Sequence, residues 1–346
     1  KKVIDMVVAK QSGHIGGAFS MAELTSVLYE DYDIGGKDKL ILSKGHAVPI
    51  IYAVLHELGQ ISDDDLNLFR EIDSPLQGHP DKLRLPLMDA TTGSLGQGLS
   101  IAIGHSLGKK LKNEDGTIFC VLGDGELQEG QVWEALMYYP KTDLHNLVCI
   151  IDWNKGQNDG YSKDFSIMYD NLEERISSFG WTTTVIDGHD MDAIRNSFET
   201  VEVDKPLCVI LDTIKGKGVS FMEDPSWHTR EAFGEHLPVM GEKYDNIVAL
   251  DADLGKATKI ASFGQAHPER FFQMGIAEAN MIGVASGLSE YDYKVFLASF
   301  GSFLTGRYDI IRCSLAYPNR PVVLVGTHVG MAIGKDGVTQ MGLEDV

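Results

Sequence analysis

The sequence predicts an α/β fold of two consecutive domains, each a mainly parallel sheet flanked by helices, and three observations carry that expectation. The chain has 346 residues, more than one hydrophobic core usually organises. Short apolar runs rich in β-branched residues stop at Gly, Asp or Asn, and segments with helical spacing separate them, the alternation that builds parallel sheets. The series closes near His228 and starts again at Asn246.

Lys1 to Ala9 carries apolar residues at 3, 4, 6, 7 and 8, a helix that ends at the turn-rich Gln11-Ser12-Gly13-His14-Ile15-Gly16-Gly17. Helical spacing returns over Met21 to Tyr29. Leu40 to Leu42 is a short strand, followed by Ser43-Lys44-Gly45-His46-Ala47 and a helix over Ile50 to Leu58. Gln77-Gly78-His79-Pro80 is a turn, and Thr91 to Leu99 opens an apolar helix that runs to Leu107. Glycines at such a helix start let main-chain amides approach an anion, with the macrodipole helping. Strands at Phe119 to Leu122 and Leu147 to Ile151 stop at Gly123-Asp124-Gly125 and Asp152-Trp153-Asn154. Thr183 to Ile186 and Leu207 to Leu211 are two more, with helical patterns over Leu172 to Phe179 and Met191 to Phe198. Lys215 lies in the glycine-rich Thr213-Ile214-Lys215-Gly216-Lys217-Gly218, where it can reach anionic groups. The second series has strands at Asn246 to Asp251, Tyr293 to Leu297 and Val322 to Val325, and Glu278 opens an apolar helix between the first two.

Composition narrows the partners. A formal charge of −20 argues against nucleic acid, because the one short basic cluster, Lys109-Lys110 with Lys112, fits a solvated helix face. Cys120, Cys149, Cys208 and Cys313 show no CxxC spacing, and the first three sit in apolar runs, as reduced core residues of a cytoplasmic protein do. No stretch approaches the roughly 20 apolar residues of a membrane span, and the N-terminus carries no signal-peptide apolar core.

The segment from Phe119 to Gln157 holds the strongest chemical signal. Two strand ends, each followed by an oxygen donor and glycine, can bring hard ligands together at the carboxyl edge of a parallel sheet. Asp124 offers a carboxylate and Asn154 an amide carbonyl, a set suited to magnesium or calcium with positions left for water or phosphate. Taken alone, these residues also fit two ordinary βα turns with a solvated Asp and Asn.

The motifs closely resemble, over nearly the whole chain, those of the transketolase family of thiamine diphosphate enzymes. Its signature is Gly123-Asp124-Gly125 followed by Asn154, joined here by Ser43-Lys44-Gly45-His46-Ala47, Thr92-Gly93-Ser94-Leu95-Gly96-Gln97-Gly98 and Gly275-Ile276-Ala277-Glu278. The resemblance implies that Asp124, Asn154 and the main-chain carbonyl of Gly156 hold a magnesium or calcium ion carrying the diphosphate. It implies further cofactor contacts from His46, Gly93, Ser94, Leu95, Gly123, Gly125, Glu129, Lys215 and Asp253, with Phe300 and Phe303 packed on the pyrimidine ring. Glu278 aligns with the family's catalytic glutamate, which hydrogen-bonds a ring nitrogen of the coenzyme and drives the tautomer that removes the thiazolium proton. His14, His46, His79 and His228 are implied around the reacting carbonyl and hydroxyls, as proton carriers and oxyanion stabilisers. His14, His228, Arg230, His328 and Asp336 are implied sugar contacts, whereas His189, in Asp187-Gly188-His189-Asp190, is assigned a structural turn.

Two departures bear on the donor sugar. The family continues with a histidine where this chain has Gln340, which cannot titrate near neutrality, and Ala257 stands where a phosphate-binding serine is usual. The joins at 32–37 and 228–229 are also shorter than the family's, as though residues were omitted there. A Cα spacing near 3.8 Å between His228 and Thr229 would refute that.

The implied organisation is a diphosphate-binding domain over 1–228 and a pyrimidine-binding domain over 229–346, the latter incomplete at its C-terminus. The implied activity is transfer of a two-carbon ketol unit from a phosphorylated or otherwise anionic ketose to an aldose, in a homodimer with active sites at its interface. A second subunit or further C-terminal segment is expected to complete the fold. A deoxyxylulose phosphate synthase would share the metal signature, but Ser43 to Ala47 and Thr92 to Gly98 favour transketolase. A paralogue that binds the coenzyme without turnover has Gln340 and Ala257 in its favour, and Glu278, Asp124 and Asn154 against it.

Overall fold

The computed structural model describes residues 1–10, 13–157, 162, 169–199, 205–218 and 230–328, which divide into two compact units. The first holds a five-stranded sheet of β1 (Lys39–Leu42), β2 (Ile118–Gly123), β3 (Leu147–Trp153), β4 (Thr182–Asp187) and β5 (Leu207–Asp212). All neighbours are parallel and the order is β1-β2-β3-β5-β4. These are the predicted strands, each longer by one or two residues. The strand order, with β5 inserted between β3 and β4, is not encoded in local periodicity.

The central strands read as unbroken apolar runs because both faces of the sheet are covered. Leu42, Phe119, Val121, Ile150 and Val209 face one core, packed with Met21, Leu24 and Tyr52. Their neighbours Ile41, Leu122, Ile151 and Ile210 face the other, with Leu99, Leu136 and Tyr139. Cys120 pairs in register with Cys149 and Cys149 with Cys208, so three buried thiols share one rung on this second face. Burial raises the Cys120 thiol well above its ordinary value, which leaves it an inert hydrophobe. Ile150→Ala removes a fully buried branched side chain from this sheet and is expected to cost about 2–5 kcal/mol in denaturant unfolding.

Residues 32–37 form a closed turn. The main-chain amides of Gly36 and Asp38 each donate to Asp33 O at 3.0 Å, and the Asp38 carboxylate accepts from Asp33 N at 3.0 Å and Thr117 N at 2.7 Å. The join at 228–229 lies outside the described residues.

The second unit holds a four-stranded parallel sheet of β6 (Ile247–Asp251), β7 (Phe271–Gln273), β8 (Lys294–Phe300) and β9 (Val322–Thr327), in the order β7-β6-β8-β9. β7 has three residues, too few to leave a periodic signature, and the sequence reading missed it. The helix Glu278–Leu288 covers one face through Met281, Ile282 and Ala285, packed with Val248, Leu250 and Leu297. Among the described residues no helix is long and apolar enough to cross a membrane.

Candidate active site

Parallel strands deliver all their carboxyl ends to one edge, which is where open α/β sheets bind ligands. In the first unit that edge collects Ser43 to His46 after β1, Asp124 after β2, Asn154 after β3 and Thr213 to Lys215 after β5. Gly123 and Asp152 are in register, and the Asp124 amide donates to Asp152 O at 3.1 Å, so the two signature loops leave the sheet side by side. Asp124 is buried. Lys155 takes a positive φ of 64°, a tight turn in which Asn154 Oδ1 accepts from the Gly156 amide at 3.1 Å. Asn154 Nδ2 donates to Asp152 Oδ2 at 2.9 Å, and the Gly156 carbonyl accepts from Lys215 Nζ at 3.0 Å.

Among the described residues no three His, Cys, Asp or Glu side chains converge on a metal position. The carboxylate of Asp124, Oδ1 of Asn154 and the Gly156 carbonyl are oxygen donors on neighbouring strand ends that could hold a divalent ion. Their hard-oxygen chemistry fits magnesium or calcium. Lys215, exposed on a flexible stem, is the cation already on the Gly156 carbonyl, a partner sequence reasoning did not foresee.

His14, His46 and His79 gather near this edge. The His14 and His46 rings meet edge to face at 5.2 Å, and a Cβ on Gly17 would lie 3.2 Å from His46 Nε2 and 3.3 Å from Lys44 Nζ, crowding both. Loss of hydration lowers the His46 pKa well below its ordinary 6.5, helped by the neighbouring His14, Lys44, His79 and Lys215, so His46 is neutral at physiological pH. The unfolded chain takes up that proton near 6.5, so the stability neutral His46 contributes is complete above 6.5 and is lost as pH falls below it. His46→Asn is accordingly expected to shrink the drop in thermal midpoint between about pH 7.5 and 5.5.

Sequence reasoning missed two buried carboxylates that hold the edge together. Glu126 accepts from Ser43 Oγ at 2.5 Å, Gly96 N at 2.8 Å and Gly123 N at 3.1 Å, tying three of the motif loops to one group. Burial raises its pKa despite those bonds. Gly93, with φ of 156°, and Gly96, with φ of 84°, shape the loop ahead of the helix Gly98–Lys112, which therefore begins later than the glycines suggested. A Cβ on Gly45 would come within 2.9 Å of Thr92 Oγ1 and 3.1 Å of Gly93 N, while one on Gly96 would meet the Glu129 stem at 2.9 Å. Ser94 and Leu95 are half-buried in the same loop, and Gly125 begins the short helical turn after Asp124. The second carboxylate is Asp152, fully buried with Lys44, Ser20 and Thr213 around it. A charge inside the apolar run Leu147 to Trp153 was the available signal. His189 accepts from Ile214 N at 3.0 Å through Nε2 and faces Glu23 through Nδ1, so it holds the Lys215 loop as a turn residue.

The second unit repeats the pattern at its own carboxyl edge. Glu278 is 3% exposed at the first position of its helix, and Ser299 Oγ lies 3.4 Å from its Oε1. Phe300 and Phe303 stack at 5.5 Å, and the His328 ring sits 4.4 Å from Phe300. Gln273 Oε1 accepts from the amides of Asp253, at 2.9 Å, and Gly275, at 3.1 Å, joining the loop after β6 to the loop that leads to Glu278. The structure thus brings His14, His46, His79, Asp124, Asn154, Gly156 and Lys215 to one edge in the first unit. It brings Asp253, Glu278, Phe300, Phe303 and His328 to one edge in the second. His228, Asp336, Gln340 and the side chain of Arg230 lie outside the described residues.

Two βα units that bring polar, glycine-rich loops to the carboxyl ends of parallel strands are the architecture in which open α/β proteins bind ligands. The model of the transketolase thiamine diphosphate binding domain matches residues 2–237, and that of the transketolase pyrimidine binding domain matches residues 226–346. The chain belongs to the transketolase family. It is 34% identical to transketolase-like protein 2 of Mus musculus over 411 aligned positions, covering 98% of this chain and 65% of that protein. Against transketolase of Homo sapiens it is 33% identical over 413 positions, covering 99% and 66%. The 6-deoxy-6-sulfo-D-fructose transketolase subunit SqwG of a Clostridium species is 38% identical over 221 positions, 61% of this chain and 80% of that one. The chain thus spans about two thirds of the length of its mammalian relatives, and alignments of 411 and 413 positions for a 346-residue chain mean that they also carry internal segments without a counterpart here. Among solved structures, transketolase from Campylobacter jejuni superposes with a TM-score of 0.58 at 24% identity, over 98% of this chain and 69% of that one. The Pichia stipitis enzyme in complex with sedoheptulose-7-phosphate gives 0.60 at 21%, with the same coverage. Both show the shared fold.

Proposed function

We propose that this protein transfers a two-carbon ketol unit from an anionic ketose to an aldose, with thiamine diphosphate held through magnesium or calcium. The observation that carries the reading is the pair of neighbouring strand ends bearing Asp124 and Asn154, with the Asn154 amide fixed so that its oxygen is turned from Asp152. Bound thiamine diphosphate supplies the nucleophilic carbon and the electron sink for cleaving the bond beside the ketose carbonyl. The chain's own part is to bind, orient and move protons. Asp124, Asn154 and the Gly156 carbonyl hold the metal; Gly93, Ser94, Leu95, Gly123, Gly125, Glu129, Lys215 and Asp253 line the coenzyme; Phe300 and Phe303 pack on its pyrimidine ring. Glu278 holds and moves a proton at the ring nitrogen. His14, His46, His79 and His228 exchange protons with the sugar's carbonyl and hydroxyls. Arg230, His328 and Asp336 bind the donor sugar.

In this reading residues 1–228 and 229–346 are the diphosphate- and pyrimidine-binding domains, a homodimer brings the first of one subunit to the second of the other, and the protein is cytoplasmic. The relative acting as a 6-deoxy-6-sulfo-D-fructose transketolase subunit supports a sulfonated as well as a phosphorylated ketose, and a second chain completing the assembly. Ala257 in place of the usual phosphate-binding serine favours that choice. The test is to incubate the protein with magnesium, thiamine diphosphate, an aldose acceptor and a panel of phosphorylated, sulfonated and neutral ketoses, with pyruvate as a further arm. Ketol transfer from an anionic ketose is the expected result. Coenzyme binding without turnover of any ketose would make the protein a non-catalytic paralogue, and pyruvate decarboxylation alone would move it to the deoxyxylulose phosphate synthase class.

A further inference from the structure

Asp152 stands one residue before the end of β3 and is fully buried, yet its carboxylate accepts four hydrogen bonds. Ser20 Oγ, at 2.5 Å, Lys44 Nζ and Asn154 Nδ2, at 2.9 Å, all reach Oδ2, and Thr213 Oγ1 reaches Oδ1. Lys44 is itself fully buried and also donates to Gly17 O at 3.0 Å. A buried ion pair is seldom the most stable filling for such a space, since well-packed apolar residues of similar volume often do as well or better. The retained charge therefore calls for a task that apolar packing cannot perform.

Three of the four donors tie chain segments together, and the fourth is Asn154. The two ends of an asparagine amide have nearly the same shape and opposite hydrogen-bonding character. An ionised carboxylate only accepts, so Asp152 can pair with the NH2 end alone. The Gly156 amide, which only donates, pairs with the oxygen end at 3.1 Å. Two partners of opposite character thus fix one amide orientation, and Oδ1 keeps a lone pair for a ligand beyond the loop.

We infer that Asp152, held in place by Lys44, is a positioning residue that locks the Asn154 amide with its oxygen toward the divalent cation. This rests on the reading of Asn154 as a metal ligand. Partners behind a metal's own ligands typically change its affinity by about 10–100-fold when removed. Asp152→Asn would not release the lock, because Lys44, which only donates, holds an amide oxygen at the same place; Asp152→Leu keeps much of the volume and leaves Asn154 Nδ2 without its acceptor, so the lock is lost.

The experiment titrates the protein with manganese(II) at saturating thiamine diphosphate, following the EPR signal of the free ion, and records thermal midpoints without metal. Asp152→Leu is expected to weaken manganese(II) binding at least about tenfold. Thr213→Val, which removes a bond to the other carboxylate oxygen, is expected to lower the thermal midpoint and leave the affinity within about twofold. Asn154→Ala serves as the control for the underlying reading. If Asn154→Ala weakens binding while folded Asp152→Leu matches wild type, the positioning role is wrong and the ligand reading stands. Loss of affinity in Thr213→Val equal to that in Asp152→Leu would reduce Asp152 to a structural part and overturn the inference. Unchanged affinity in Asn154→Ala would remove the ligand reading and the inference with it. Should Asp152→Leu fail to fold, a crystal structure of the wild-type protein with manganese(II) and thiamine diphosphate decides. Asn154 Oδ1 on the metal with Nδ2 on Asp152 supports the role, and Nδ2 turned away from Asp152 refutes it.

Discussion

Glu278→Gln is expected to lower the proposed ketol transfer by roughly 10²–10⁴-fold, the range of a lost general acid–base group, while the second sheet stays folded. Glutamine keeps the volume and the hydrogen-bonding reach of the carboxyl but cannot hold or release a proton. The residue sits where burial and chemistry pull in opposite directions. It is 3% exposed, yet it opens the helix Glu278–Leu288, whose N-terminal partial positive charge favours a carboxylate. Ser299 is its near neighbour at 3.4 Å, a distance that gives a weak bond. Initial-rate assays of the variant beside its thermal midpoint check this. Activity within about threefold of wild type in a folded variant would remove Glu278 from the chemistry.

Lys44→Met is expected to destabilise the first unit by about 3–5 kcal/mol, because it leaves the Asp152 carboxylate buried without its counter-ion. Methionine replaces the stem of lysine almost atom for atom, so packing loss contributes little. Burial alone would raise the Asp152 pKa, but the Lys44 charge and the hydrogen bonds from Lys44, Ser20 and Thr213 outweigh it and hold the group below its ordinary 3.8. The stabilisation is therefore fully present above 3.8 and is lost as pH falls through the lower folded-state value. Wild type should lose stability over that acid range and the variant much less, measured by urea unfolding at stepped pH. A shift below about 1 kcal/mol at neutral pH would show that water or another cation already compensates Asp152.

Much of this site was legible before the fold. Parallel strands buried on both faces show as apolar runs, and glycine or a short polar residue marks where each run ends, so the positions of Asp124, Asn154 and Glu278 followed from local pattern and motif order. His14, His46 and His79 announced themselves by standing among glycines, where packing has little use for a ring. The roles of Lys44, Asp152 and Glu126 were not legible, though each lies inside or beside a quoted motif. Lys44 and Asp152 are 108 residues apart, and Glu126 meets Ser43 across 83 and Gly96 across 30. Nothing in the local spacing of charges pairs them.

The sequence by itself determined the family, the alternation of strands and helices, and which residues would stand at strand ends, because side-chain period and turn chemistry act over a few neighbouring residues. Only the tertiary structure decided that β5 lies between β3 and β4, that Asp152 faces Lys44, Ser20 and Thr213, and that Asn154 is clamped at both ends of its amide. Buried charges are satisfied by whichever polar groups strand order and parallel register carry to the same edge. That order is set by the packing of the whole sheet, which no short stretch of the chain contains.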